Sequence, residues 1–454
     1  MRLLIIQYGD YYKALKARDA GEPETYRAQY QSLDAVDRII KGHPCMVICL
    51  ENTTQQSKKL LIQEKIYKNY QIIYGNFIPS ISSHNHFKKN LVYKIIRKML
   101  YRVKALQNMH ILKKIVQDFA PSHLIIRTSG WILGDMGMWA IKNQIHLLPL
   151  LADYEEQKQG LKKYIGLRHL KVLHSKKVPL LCNHNYPACR SLVYAGVPAN
   201  KVVPWDWTVI RKPIDNKKHK NYTKDDACIY NLAQKEHIYT VKNKRIELLY
   251  AGLLQYNKGV GDILHALAIL RHEKNVITEA PFTISLSICG TGPDEKELRT
   301  LGESLGLCGL GSGHDIIHFC GVLSNDEIWS RMQSATAVIV PSWHSYPEGM
   351  PNVIYEAFEA YTPIIASDHP SFLGRLKHGR GCMIFQAQQA RSLARTIWAM
   401  GQDAQHERIS DGIIDAWQAI QCPVSFEDVL VQWKEYTLYG KDMPCLQHSI
   451  ANMK

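Results

Sequence analysis

Two glutamates eight residues apart, Glu348 and Glu356, frame the stretch of this chain best suited to chemistry. Between them run Gly349-Met350-Pro351-Asn352-Val353-Ile354-Tyr355. Pro351 suits the first turn of a helix, where it has no N–H to leave unpaired. The backbone N–H groups around Asn352, Val353 and Ile354 then lack intrahelical acceptors and sit at the positive end of the helix dipole. Gly349 lets a ligand come close to the backbone. The result is an anion site flanked by two carboxylates that can accept from hydroxyls. A phosphate attached to a polyol matches that combination. The competing reading is two solvated carboxylates on an exposed helix, the commoner fate of glutamate.

The elements that must hold this site are legible on either side. Ala337-Val-Ile-Val-Pro341 is short, apolar and β-branched, as a buried parallel strand is. A polar turn follows over Ser342–Gly349, and the helix runs to about Ala360. Thr362-Pro363 then leads into a second apolar strand, Ile364–Ser367. Together these make one strand–loop–helix–strand unit.

Pro341-Ser342, Glu348-Gly-Met-Pro-Asn-Val-Ile-Tyr-Glu356-Ala357 and Thr362-Pro-Ile-Ile-Ala-Ser-Asp368 resemble the retaining family-4 glycosyltransferases and their E-x7-E signature. The resemblance covers about Arg245 to Met400 and is thin over the first 240 residues. It implies the GT-B fold, α/β with two Rossmann-like domains facing across a cleft. It implies transfer of a sugar from a nucleotide-diphosphate sugar to a hydroxyl acceptor with retention at the anomeric carbon. No metal and no cofactor beyond that co-substrate are implied.

By the same resemblance, Glu348 with Gly349, Met350, Pro351 and Asn352 holds the donor sugar, and Glu356 holds the ribose hydroxyls. Lys258, in Ala251-Gly-Leu-Leu-Gln-Tyr-Asn-Lys-Gly259, stands where the family places a diphosphate-binding lysine. With Asn352 and Val353 it binds the phosphates, and with Glu348 it forms the catalytic set. Leu253 stands where the family has an arginine, which removes one cation from the site; such a charge-assisted contact is worth ~1.5–3 kcal/mol. Gly290-Thr-Gly292-Pro293 and the Val322-Leu323 stretch match the turns that meet the nucleotide. In the first half a donor-contacting histidine of the family aligns near Ala152-Asp153, where this chain has none. Ala195 to Val203 is similar to the stretch before the family's interdomain crossover, with Trp205-Asp-Trp207 following.

A chain of 454 residues exceeds one ordinary core. The expected division is a Rossmann-like acceptor-side domain over 1–210 and a linker zone over 211–245. A donor-side domain follows over 246–425, and the last helix, over 426–454, crosses back. In the first half, strands are expected at Arg2–Gln7, Cys45–Leu50, Gln71–Tyr74 and Leu124–Arg127, with helix at Ser32–Ile40 and Leu60–Tyr70. Asp10–Gln31 reads as a long polar loop whose Tyr11, Tyr12, Arg18, Glu24, Tyr26 and Arg27 can reach an acceptor, or as an ordinary surface insertion.

No apolar run approaches the ~18–20 residues that span a bilayer, and the apolar segment at the start is too short for a signal peptide. Eleven scattered cysteines without a CxxC pair indicate reduced thiols. Twenty histidines show no metal-ligand spacing. The net charge of +15 concentrates in residues 87–114, which carry nine Lys/Arg and no Asp/Glu. There Val92, Ile95, Ile96, Met99, Leu100, Val103 and Leu106 recur at helical spacing. A basic amphipathic helix of this kind docks on anionic membrane surfaces, or packs its stripe on a sheet and leaves its charges solvated. The expected setting is cytoplasmic, at the membrane periphery, with a glycan or lipid-linked acceptor in cell-envelope polysaccharide synthesis. Other readings are a nucleotide-sugar-binding protein with a degenerate site, a GT-B phosphorylase or epimerase, and a nucleic-acid binder. No recognition motif supports the last.

Overall fold

Short apolar runs form the strands, as their β-branched content requires. The structure, a computed structural model, describes residues 1–24, 29–50, 62–75, 77, 91–152, 167–207, 209, 211–213, 244–272, 282–309, 315–346 and 348–452. The chain divides into two units. Met1–Glu22, Ala28–Thr208 and Cys422–Lys454 form the first; Pro23–Arg27 and Val209–Gln421 form the second. Most of the expected linker zone lies outside the described residues, as do Asp153, Tyr26 and Arg27.

The strands of the first unit are β1 (Leu3–Tyr8), β2 (Cys45–Leu50), β3 (Ile62–Tyr67), β4 (Tyr70–Gly75), β5 (His123–Ile126), β6 (His146–Leu151), β7 (Leu181–His184) and β8 (Val202–Trp205). They form one sheet in the order β3-β4-β2-β1-β5-β6-β7-β8. Every pairing is parallel except β3 with β4. One hydrophobic cluster covers one face, built with the helices Gln29–Ile40 and Phe426–Tyr439; a second covers the other.

The second unit holds β9 (Lys244–Ala251), β10 (Phe282–Cys289), β11 (Ile317–Gly321), β12 (Ala337–Val340), β13 (Ile364–Ser367) and β14 (Cys382–Phe385). Its sheet is all parallel, in the order β11-β10-β9-β12-β13-β14. Each unit is therefore Rossmann-like, a doubly wound sheet with an apolar layer on both faces. In the second unit the strand order reverses between β9 and β12. Ligands of such sheets bind at that switch point, outside the carboxyl ends of the strands.

Three expectations for the first half are corrected. Of the helix expected over Leu60–Tyr70, the described part from Ile62 is not helical: β3 and β4 form an antiparallel hairpin with Tyr67 opposite Tyr70. The two-residue turn Lys68-Asn69, with Lys68 at φ 52°, sets that register and outweighs a helix-like spacing of apolar residues. Asp10–Gln31 is not a long loop. Asp10 caps a helix over Tyr11–Asp19 by accepting from Lys13 N at 3.0 Å, and Ala, Leu, Lys and Arg favour helix there. Tyr11 is buried in the core, and Arg18 is paired with Asp19, Asp34 and Asp37, so neither is open to an acceptor. Asn325 donates to the Glu24 carbonyl at 2.8 Å and to its carboxylate at 3.3 Å, both within the second unit.

The third correction concerns the basic helix, which spans Leu91–Phe119. From residue 103 onward, Ala105, Met109, Leu112, Val116 and Phe119 pack into the core, while Val103 and Leu106 are more than half exposed. Val103 and Leu106, the stripe residues whose side chains are described, therefore do not pack on the sheet, and from residue 103 onward the buried face is a different one.

His123 opens β5 between Ser122 Oγ (2.8 Å) and Thr437 Oγ1 (3.0 Å), with the His146 ring 5.0 Å away. Burial, then the neighbouring His146, holds its pKa down at about 4 against an ordinary 6.5. The unfolded chain therefore binds this proton first. Stability is expected to fall as pH drops from 6.5 to about 4 and then to level. Urea unfolding of His123→Asn should show a shallower slope across that window; an unchanged slope would contradict the assignment.

Candidate active site at the carboxyl edge of the second sheet

The chain leaves β9 at Ala251 and reaches Lys258 through a single helical turn, Tyr256–Lys258. Gly259 follows at φ 77°, and a Cβ there would lie 2.1 Å from the Pro341 carbonyl oxygen. Only glycine allows both the left-handed backbone and that approach. The contact joins the end of the β9 loop to the start of the β12 loop. Trp343 reinforces the joint: its N–H donates to the Asn257 carbonyl at 2.9 Å, and its indole Nε1 donates to Asp262 at 2.7 Å. Its ring also meets Tyr256 edge-on at 4.6 Å. Gly259→Ala is expected to lower stability by about 2 kcal/mol or more and to cut activity by displacing Lys258. Urea denaturation checks the first effect, and a wild-type midpoint would refute the role given to the glycine.

These clamps bring Lys258 and Glu348 together across 90 residues. Lys258 Nζ donates to both Glu348 carboxylate oxygens, at 2.7 and 2.9 Å, and lies 4.3 Å from the Tyr346 ring centroid. Their side chains are 17% and 7% exposed, so the pair is largely shielded from water. A shielded charge pair is costly to assemble and is weak grounds for a purely stabilising role.

Around the pair the loop is tied down on every side. Ser371 Oγ donates to the Glu348 carbonyl at 2.5 Å, and Ser367 Oγ to the Ser342 carbonyl at 2.6 Å. His369 Nδ1 accepts from Ser371 N at 3.1 Å, which leaves Nε2 as the donor to the Tyr346 carbonyl at 3.0 Å. Burial pushes the His369 pKa down, which keeps that neutral tautomer. Asp368 accepts from Ala387 N at 2.9 Å and pairs with His344 Nε2 at 2.8 Å. Tyr250 lies beneath, donating to the Leu253 carbonyl at 2.8 Å; burial and then the Glu348 carboxylate push its pKa up.

The helix after the loop spans Asn352–Glu359, and Pro351 is its N-cap residue, one position earlier than expected. Pro351 has extended ψ (134°), so it precedes the first helical turn. Asn352 and Val353 are thus the first-turn donors. Glu356 lies further along the helix, half-buried. Met350 is buried in the hydrophobic cluster on that face. Leu253 is 43% exposed at the end of the β9 strand-to-turn segment.

The chain's own packing requires glycine at positions 290 and 292. A Cβ at Gly290 would lie 2.0 Å from the Gly252 carbonyl oxygen, and one at Gly292 2.3 Å from that of Leu254. The close approach these glycines permit is backbone on backbone, sealed by Leu254 N to the Thr291 carbonyl at 3.0 Å. Val322 is exposed and Leu323 is partly buried at the end of β11. Tyr346, His344, Asp368 and His369 escaped the sequence reading. Their one local signal is position, since each follows the carboxyl end of β12 or β13. Among the described residues no His, Cys, Asp and Glu group is arranged to hold a metal ion, and no helix is long and apolar enough to cross a membrane.

Residues 233–411, which lie within the second unit, match the family described as glycosyl transferases group 1. An MMP alpha-(1->4)-mannosyltransferase of Mycolicibacterium hassiacum is 36% identical over 110 residues, 24% of this chain and 23% of that protein. A D-inositol 3-phosphate glycosyltransferase of Nocardioides is 27% identical over 171 residues, 37% of each chain. The chain thus aligns with less than two-fifths of either relative's length. Among solved structures, Anabaena HepE in complex with UDP covers 97% of this chain and all of its own, with a TM-score of 0.55 at 14% identity. That likeness is one of fold, the GT-B glycosyltransferase architecture.

Proposed function

We propose that this protein is a retaining glycosyltransferase that moves a sugar from a nucleotide-diphosphate sugar to a hydroxyl of a glycan or lipid-linked glycan. The observation that carries the reading is the Lys258–Glu348 pair at the β9/β12 switch point, beside a helix N-terminus. The group 1 family match over 233–411 supports it. So do the mannosyltransferase and inositol-phosphate glycosyltransferase names of its relatives, and the UDP and UDP-glucose found in HepE.

In this reading the donor diphosphate lies against Lys258 and the first-turn N–H groups of Asn352 and Val353. Glu348 and the Gly349–Asn352 backbone accept from and donate to the sugar hydroxyls, and Glu356 accepts from the ribose hydroxyls. The diphosphate carries more negative charge than one carboxylate, so it draws Lys258 from Glu348 and frees that carboxylate for the sugar. As the bond from the anomeric carbon to the phosphate oxygen breaks, charge grows on the departing phosphate. Lys258 and the helix N-terminus stabilise that charge. The same phosphate then takes the acceptor proton, so attack comes from the face the phosphate leaves and configuration is retained. No metal step is part of this route.

The test is release of free nucleoside diphosphate from a panel of nucleotide-sugars, with and without glycan and lipid-linked acceptors. Acceptor-dependent release supports transfer. Donor binding with no release under any acceptor favours the second reading, a degenerate donor-binding protein, for which the exposed Leu253 is the specific observation. Phosphate-dependent formation of a sugar phosphate would identify a phosphorylase instead.

A place at an anionic membrane surface in cell-envelope polysaccharide assembly belongs to the same proposal. Exposed Val103 and Leu106 on the basic helix support it. Co-sedimentation with phosphatidylglycerol vesicles tests it. The expected result is binding that Val103→Asp with Leu106→Asp abolishes, and no sedimentation of the wild type would refute it.

A further inference from the structure

The first unit holds a cavity of about 170 Å³ between the helix Gln29–Ile40 and the start of the helix Phe426–Tyr439. Gln31, Asp34, Arg38, Trp207, Phe426 and Glu427 line it. We propose that this cavity binds one neutral pyranose residue of the acceptor, which rests on the transferase reading above and names the ligand chemistry of its acceptor side.

The floor is aromatic and fixed. The Trp207 and Phe426 rings lie 4.9 Å apart, and Trp205 meets both nearly edge-on at 5.0 and 5.2 Å. Trp207 N donates to Asp206 at 2.8 Å, and the Arg127 guanidinium lies over the Phe426 ring at 5.0 Å. Phe426 is buried, whereas Trp207 is half-buried and lines the cavity. One face of a pyranose ring is a patch of C–H groups, which suits an immobile indole.

The rim is polar. Gln31, Asp34 and Arg38 recur at i, i+3 and i+7, so one helix face presents all three. Asp34 accepts from Arg18 at 2.8 Å, and Arg38 is paired with Glu427. A carboxylate has about four acceptor positions and a guanidinium five donors, so these pairs keep capacity for vicinal hydroxyls. Arg38 and Glu427 neutralise each other, while Asp34 shares the Arg18 guanidinium with Asp19 and Asp37, so the rim carries no surplus of positive charge. A phosphate entering here meets carboxylates, while an uncharged polyol meets matched donors and acceptors. The volume is below the ~300 Å³ at which sites for drug-sized ligands begin, so it suits a single ring.

The position agrees with the topology. Trp207 follows the carboxyl end of β8. Ser32, next to Gln31, accepts from Arg127 at 3.0 Å, and Arg127 also donates to Gln7 at 3.0 Å. Gln7 and Arg127 stand at the carboxyl ends of β1 and β5, where the strand order of the first sheet reverses.

Saturation-transfer NMR on the full chain tests the site. The probes are the methyl α-glycosides of glucose, mannose and galactose, with excess UDP, GDP and ADP present to block the donor site. At least one glycoside should show transfer, and Trp207→Ala should reduce it at least fivefold with an unchanged melting temperature. Gln31→Trp, which fills the cavity from the helix without removing a core side chain, should do the same if Trp207→Ala proves unstable. Absence of transfer from all three glycosides, or full transfer in a folded Gln31→Trp protein, overturns the site. Glycoside binding without nucleoside diphosphate release would keep the site and remove the transferase reading. Normal release with no glycoside signal would do the reverse.

Discussion

Lys258→Ala is expected to lower kcat about a hundredfold, the largest single effect in the molecule. A preorganised donor that meets charge developing in the transition state is typically worth 10²–10³ in rate, or ~2.7–4 kcal/mol. Here Leu253 provides no second cation beside it, so little is available to compensate. The same substitution leaves the Glu348 carboxylate, only 7% exposed, without its partner. Removing one member of a shielded pair costs about 3–5 kcal/mol of stability. The catalytic and structural losses separate in a double-mutant cycle. Lys258→Ala with Glu348→Ala should recover stability relative to Lys258→Ala alone, because no orphaned charge remains, yet stay inactive. Steady-state kinetics beside urea unfolding measures both, and wild-type turnover in folded Lys258→Ala would refute the assignment.

Glu356→Ala should lower kcat/KM at least tenfold, about 1.4 kcal/mol, through the donor KM rather than kcat. The ribose does not change during transfer, so its contacts bind ground and transition states alike. A donor lacking the ribose hydroxyls distinguishes this role from a general disturbance of the helix. The wild type should discriminate against it by the same tenfold, and Glu356→Ala should not discriminate at all. Equal loss of both donors in the variant would place Glu356 elsewhere.

The second unit was legible because its information is local. Ala337–Val340 and Ile364–Ser367 are unbroken apolar runs, and Pro351 marks a helix start to within one residue. The Lys258–Glu348 contact was not legible from spacing. It exists because β9 and β12 are neighbours, and that adjacency is a property of the sheet. The packing need at Gly290 and Gly292 was not legible either, since the backbone of Gly252 and Leu254 that lies where a Cβ would stand belongs to another segment of the chain. The first half was harder because its signals conflict. Two tyrosines across a two-residue turn outweigh the helical spacing in Leu60–Tyr70. From residue 103 onward in the helix Leu91–Phe119, burial follows Ala105, Met109, Leu112 and Val116 rather than Val103 and Leu106. Asp34, Arg38, Trp207 and Glu427 meet only because the chain's last segment packs back into the first unit.

Thermal unfolding against a panel of UDP-, GDP- and ADP-sugars tests the central claim, that the second unit is a nucleotide-sugar site built on Lys258 and Glu348. A ligand at 100 times its Kd stabilises by ~2.7 kcal/mol, a rise of several degrees in Tm. The expected result is a shift with one nucleotide class that Lys258→Ala abolishes. A folded wild-type sample that shifts with none of them, or a Lys258→Ala protein that shifts as the wild type does, would contradict it.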